Sequence, residues 1–69
     1  MTSLPQDLQE SRWLNEHEVS LLTGRALPTL RNERSKGRGI RYAKIGRSVR
    51  YRLSDVVNFM ERCLVHVGD

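Results

Sequence analysis

A single cysteine, Cys63, rules out an internal disulfide framework and makes a reducing, intracellular setting the expectation. No apolar run approaches the roughly 18 residues of a membrane span. The opening residues, MTSLPQDLQE, have neither the cationic start nor the apolar stretch of a signal peptide. Metal ligands are equally scarce. Cys63 and His66 have a C-x-x-H spacing, but zinc needs two further ligands, and only His17 is left to offer. No metal and no cofactor are therefore expected, and Cys63 reads as a core residue. The acids are scattered, with no pair suited to acid–base work, and Thr23, Ser48 and Ser54 have no adjacent base to activate them. A chain this small buries only about 60% of its unfolded surface, which leaves no room for a substrate cavity and the scaffold to hold it. These shortages argue against an enzyme, and no catalytic residues are assigned.

The most informative shortage is of negative charge in one segment. Between Arg25 and Arg52 lie ten of the 12 Lys and Arg residues and a single acid, Glu33, so the segment carries a net charge of +9. The remainder holds two bases against seven of the 8 acids and sums to −5. Solvated faces usually mix their signs; charge segregated this way is the footprint expected of a nucleic-acid-binding face. The rival from a different class is a basic module that docks onto an acidic protein. It accounts for the charge but not for its placement on the polar face of a helix and on a hairpin. RNA is less well matched than duplex DNA: a helix cannot read the narrow A-form major groove, and pairs of aromatics to stack splayed bases are missing.

The chain reads as one α+β domain over residues 12–67, preceded by a polar, aperiodic leader over 1–11. Trp13 and Leu14 open the ordered part, with Trp13 most simply a lid on the core and a base-stacking role as the alternative. A first helix is predicted over Asn15 to Leu22. Asn15 is its N-cap, Glu18 completes a capping box, Leu14 and Val19 form a hydrophobic staple, Val19 and Leu22 face the core, and Gly24 stops it. A second helix, 28–35, begins at Pro28 and stops at Gly37. Leu27, Leu30 and the stem of Arg34 share its inner face. Thr29, Asn32, Ser35 and, more laterally, Arg31 share the outer one. Two short helices with a tight turn match a helix-turn-helix.

Next, RYAKI and VRYR read as strands around a three-residue loop, GRS, with a glycine available for a positive φ. Ala43, Ile45, Val49 and Tyr51 are expected on the inner face of this hairpin, and Lys44, Arg50 and Arg52 on the outer. Ser54 is expected to cap a third helix with Asp55 in its first turn. Its core stripe is Val56, Phe59, Met60, Cys63 and Val67, with Val57 and Leu64 as a thinner stripe beside it, at the core edge or on a partner surface.

The order α-α-β-β-α, three helices with a two-stranded wing, is that of a small winged helix-turn-helix. The stretches WLNEHEVSLLTG, TLRNERSKGRG and YAKIGRSVRYRLSDVVNFM resemble the excisionase and AlpA-like phage regulators, which are related to the DNA-binding domain of MerR regulators. The resemblance spans roughly residues 13–61, and KIGRSVRYRLSDVVNFM is its most specific part. Two places depart from the family pattern. Arg25 and Ala26 stand where a small apolar residue and a Ser or Thr cap are usual, and Glu33 stands where an aromatic is common.

The resemblance implies a cytoplasmic, DNA-associated bacterial or prophage protein whose helix 28–35 enters the major groove while the wing, 42–52, grips backbone or minor groove. Its role would be that of an excisionase, which sets the direction of recombination beside a phage-type integrase, or of an AlpA-like transcriptional regulator. Thr29, Asn32 and Arg31 are then placed to meet base edges. Arg31, Lys36, Arg38, Arg47 and Arg50 would contact phosphates, and Ser35, Lys44 and Ser48 complete the set on the same helix and hairpin. One small module makes a small interface, so cooperative self-association on tandem sites is also expected.

Overall fold

The computed structural model describes residues 12–65 and 67, so the expected leader over 1–11 lies outside the described residues, as does His66. The elements are β1 (Trp13–Leu14), α1 (Glu16–Thr23), α2 (Leu27–Ser35), β2 (Ala43–Ile45), β3 (Ser48–Arg52) and α3 (Leu53–Arg62). Local chemistry sets the ends of the first two helices. The Asn15 side chain accepts the Glu18 backbone N–H at 2.8 Å, and the Glu18 carboxylate accepts the Asn15 N–H at 2.8 Å, which makes a full capping box. Gly24, in the left-handed region, ends α1. The turn that follows is pinned by hydroxyls of the last turn of α1: Ser20 donates to the Arg25 carbonyl at 2.7 Å, and Thr23 accepts the Arg25 N–H at 3.2 Å. α2 starts one residue earlier than expected, at Leu27, with Pro28 in its first turn and no side chain capping it at Ala26. It closes in a Schellman motif, with the Gly37 N–H on the Arg34 carbonyl at 3.0 Å and the Arg38 N–H on that of Glu33 at 2.9 Å.

The sheet has three strands, not two, in the order β1-β3-β2, all antiparallel. The strand β1 was not foreseen, because two residues are too few to show alternation. Trp13 accordingly stands on a sheet, 45% exposed, rather than lying over the core.

The hairpin differs in register from the expectation. Ile45 pairs with Ser48, Lys44 with Val49 and Ala43 with Arg50, so the turn is the two residues Gly46 and Arg47, with Gly46 at φ 61°. A one-residue change in loop length shifts the pairing by one and exchanges the faces of one strand relative to the other. Directly opposed residues share a face. Leu14 and Tyr51 therefore mark the core face together with Val49 and Lys44, while Trp13, Arg52, Arg50, Ala43, Ile45 and Ser48 take the outer one. Lys44 is thus not outward and Ile45 is not inward. Ile45 stays 66% exposed, and Lys44 is exposed beyond the edge of the core.

The core comprises Leu14, Val19, Leu30, Ile40, Tyr51 and Val56, with Leu27, Val49, Leu53 and Phe59 packed around it. The expected staple pair, Leu14 and Val19, is fully buried. Leu22, expected inside, is half exposed. α3 follows β3 with no intervening turn, so Arg52 occupies the N-cap without a side-chain bond and Ser54 lies inside the first turn instead of capping it. Asp55 does sit in that turn. The expected core stripe ends at Phe59: Met60, Cys63 and Val67 are exposed, as is Leu64. The helix runs past the edge of a core this small, and beyond Phe59 its apolar side chains are exposed. Among the described residues, no helix is long and apolar enough to cross a membrane.

Candidate nucleic-acid interface

The amphipathic pattern of α2 settles which side chains face solvent. Leu30 is buried, and the side chain of Arg34 is only 16% exposed. Thr29, Asn32 and Ser35 lie on the opposite, exposed face, followed by exposed Lys36 at the helix end and exposed Arg38 in the loop. At the far end of the hairpin, Lys44, Arg47 and Ser48 are all exposed. Arg50 is half-buried and donates from Nη1 to the Val49 carbonyl at 2.8 Å. An open groove of about 370 Å³ joins the first turn of α1 to the hairpin, with Glu16, His17, Arg34, Arg47, Ser48 and Arg50 among its walls. The expected site residues therefore fall into two groups: one along the outer face and end of α2, the other on the wing.

Arg34 fixes the position of α2 against the wing. Its Nη1 donates to the Tyr51 hydroxyl at 2.7 Å and its Nη2 to Glu16 at 3.2 Å. Its guanidinium lies 5.7 Å from the Tyr42 ring centre and 6.0 Å from that of Tyr51. Burial disfavours its charge, but the bonds and attraction from Tyr51 and Glu16 outweigh that and raise its pKa. From the sequence, Arg34 showed only an apolar stem; its head group has the larger part in the geometry of the site.

Glu16 was also missed. Its carboxylate receives Arg31 Nη2 at 2.5 Å and Arg31 Nε at 3.3 Å, besides Arg34. The Arg31 hydrogen bond is the main cause that holds its carboxyl below the ordinary value of 4.5. The sequence signal was available: an acid in the first turn of α1, and two arginines three apart on one edge of α2.

Arg25 and Glu33 form an ion pair at the foot of α2, and the Arg25 guanidinium lies 5.5 Å from the Phe59 ring centre. Gly39 fits against this pair. It has φ 93°, and a Cβ there would stand 2.9 Å from a Glu33 carboxylate oxygen. Glu33, the one acid of the basic segment, is thereby turned away from the outer face of α2. On the outer face of the sheet, Arg52 lies 4.9 Å from the ring centre of its cross-strand partner Trp13.

Among the described residues, no group of three or more His, Cys, Asp or Glu side chains could hold a metal ion. Comparison with known protein families, with curated proteins and with solved structures found no match.

Proposed function

We propose that the chain is a sequence-specific duplex-DNA-binding protein in which α2 lies in the major groove and the β2–β3 hairpin acts as a wing on the flanking backbone. One observation carries this reading. Among the described residues, Lys36, Arg38, Arg41, Lys44 and Arg47 face no carboxylate within ion-pairing distance, and along the chain they follow directly on the exposed hydrogen-bonding face of α2 formed by Thr29, Asn32 and Ser35. Unpaired cations attract phosphate and release counterions, while the amide and hydroxyl groups of α2 can meet base edges. The acidic-protein alternative accounts for the cations but has no use for the exposed amide and hydroxyl face of α2.

The resemblance extends the proposal to an excisionase-like role beside an integrase, acting through adjacent copies on tandem sites, with an AlpA-like transcriptional regulator as the second reading. Exposed Leu64 and Val65 past the end of α3 favour the first, as apolar side chains available for contact between neighbouring copies. If about six phosphates are neutralised, log K should fall against log salt with a slope of roughly −5, about a thousandfold between 50 and 200 mM. A gel series with duplex DNA, RNA and single strands tests the partner class; a salt slope near zero on duplex DNA overturns the proposal. Circular permutation and titration over one, two and three tandem sites then test the role. Straight DNA filled independently would leave the transcriptional regulator.

A further inference from the structure

We infer that Glu16 is a specificity-determining positioning residue, which holds Arg31 so that one edge of its guanidinium is presented to guanine. The inference rests on the duplex-DNA reading. A guanidinium has five N–H donors arranged on two usable edges. Glu16 occupies the edge formed by Nε and Nη2, at 3.3 and 2.5 Å. The other edge, from Nη1 and the second Nη2 hydrogen, keeps two parallel donors. The arginine side chain is 53% exposed, lateral to the polar face of α2 that carries Thr29 and Asn32. Two parallel donors match the O6 and N7 acceptors of guanine in the major groove, and no other base pair offers that pattern at one edge.

Glu16 also acts against the wrong partner. A phosphate that draws Arg31 away must break a bond to a carboxylate whose own position is fixed by Arg34. It must also approach that negative charge. A lone arginine on a helix would swing to the nearest phosphate and carry no sequence information. With Glu16 in place its rotamer freedom is already spent, and phosphate binding is penalised relative to base binding. The acid thus lowers affinity for random DNA while raising the ratio of preferred to random binding.

The test is selection of preferred sites from a randomised duplex pool with the full chain, followed by affinities on the selected duplex and on random duplex. For the wild type, one position of the selected site should be guanine. Glu16→Gln should bind random duplex several-fold more tightly, lower the preferred-to-random ratio about tenfold, and lose the preference at that one position. Because Glu16 also holds Arg34, the second variant is Arg31→Lys, which leaves the Glu16–Arg34 contact and the core untouched. It should lose the same base preference, since an ammonium cannot offer two parallel donors. A guanine preference that persists in both variants overturns this inference and leaves the DNA reading standing. Absence of salt-dependent duplex binding by the wild type overturns the DNA reading, and this inference with it.

Discussion

The arginines at the junction of α1 and α2 and the cations of the following loop and hairpin belong to one basic segment, but they have different surroundings. Arg25, Arg31 and Arg34 each face a carboxylate, and the last two share Glu16. Lys36, Arg38, Arg41, Lys44 and Arg47 face none among the described residues. Arg25 and Arg34 fix the placement of α2, Arg31 is held by Glu16 with one edge of its guanidinium still open, and the second set is left for solvent or a polyanion. A net charge of +9 over residues 25–52 therefore overstates the charge presented outward, because part of it is matched inside the junction.

The largest effect that should separate the two sets is on stability. Arg34→Ala leaves the Tyr51 hydroxyl without its donor, removes one of the two cations on Glu16, and deletes a packed stem. It should cost about 2–3 kcal/mol in urea unfolding, within the range for lost hydrogen bonds to charged groups. Arg47→Ala, at the exposed tip, should leave the urea midpoint in place. An equal loss from both would erase the distinction.

Binding should show the reverse order. Asn32→Ala should cost about 1–3 kcal/mol on a preferred duplex and little on random DNA, whereas Arg47→Ala should weaken both alike and make the salt slope shallower by about one unit. Equal losses on both DNAs from Asn32→Ala would mean that another face of α2 reads the bases.

The Arg25–Glu33 pair should contribute less, since both side chains remain partly exposed, 30% and 23%. A double-mutant cycle with Arg25→Ala and Glu33→Gln should give a coupling of roughly 1 kcal/mol, and one near zero would show that the pair is incidental to the placement of α2.

Acid should act through Glu16 at the junction and Glu18 at the cap of α1. The carboxyls of Glu16 and Glu18 are both held below their ordinary value of 4.5, the first mainly by the Arg31 hydrogen bond and the second mainly by the Asn15 N–H. A carboxyl depressed in the folded state stabilises fully above its unfolded value, and that stabilisation is lost as pH falls through the lower, folded one. Stability should therefore stay level from about pH 7 to about pH 5 as far as these groups are concerned, and decline below about pH 4.5. A Glu16→Gln, Glu18→Gln double variant should show a shallower decline in urea midpoint over that acid range, and an unchanged one would remove these two acids as its cause.

How much of this was legible in the sequence depended on how far apart the partners lie. The capping box at Asn15 and Glu18 and the stops at Gly24 and Gly37 are satisfied by residues three to five positions away, so the local sequence specifies them. The polar outer face of α2 was legible for the same reason: helical periodicity is a property of neighbours. The hairpin register was not. Ala43 and Ile45, like Val49 and Tyr51, alternate with polar residues, so either loop length leaves one apolar set on one face of each strand. Pairing through a two-residue turn, with Leu14 and Tyr51 committed to the core, made the choice and put Ile45 outside.

The sequence alone thus determined the presence of the helices, the capping box of α1, the stops at Gly24 and Gly37, the basic segment and the exposed face of α2, all set by short-range hydrogen bonds and composition. Tertiary structure alone decided which arginines are free to meet a partner. Glu16 lies 15 residues from Arg31 and 18 from Arg34, and only the packing of α1 on α2 brings that carboxylate to both guanidiniums. Charge is fixed by composition, but whether it is neutralised depends on distance in space.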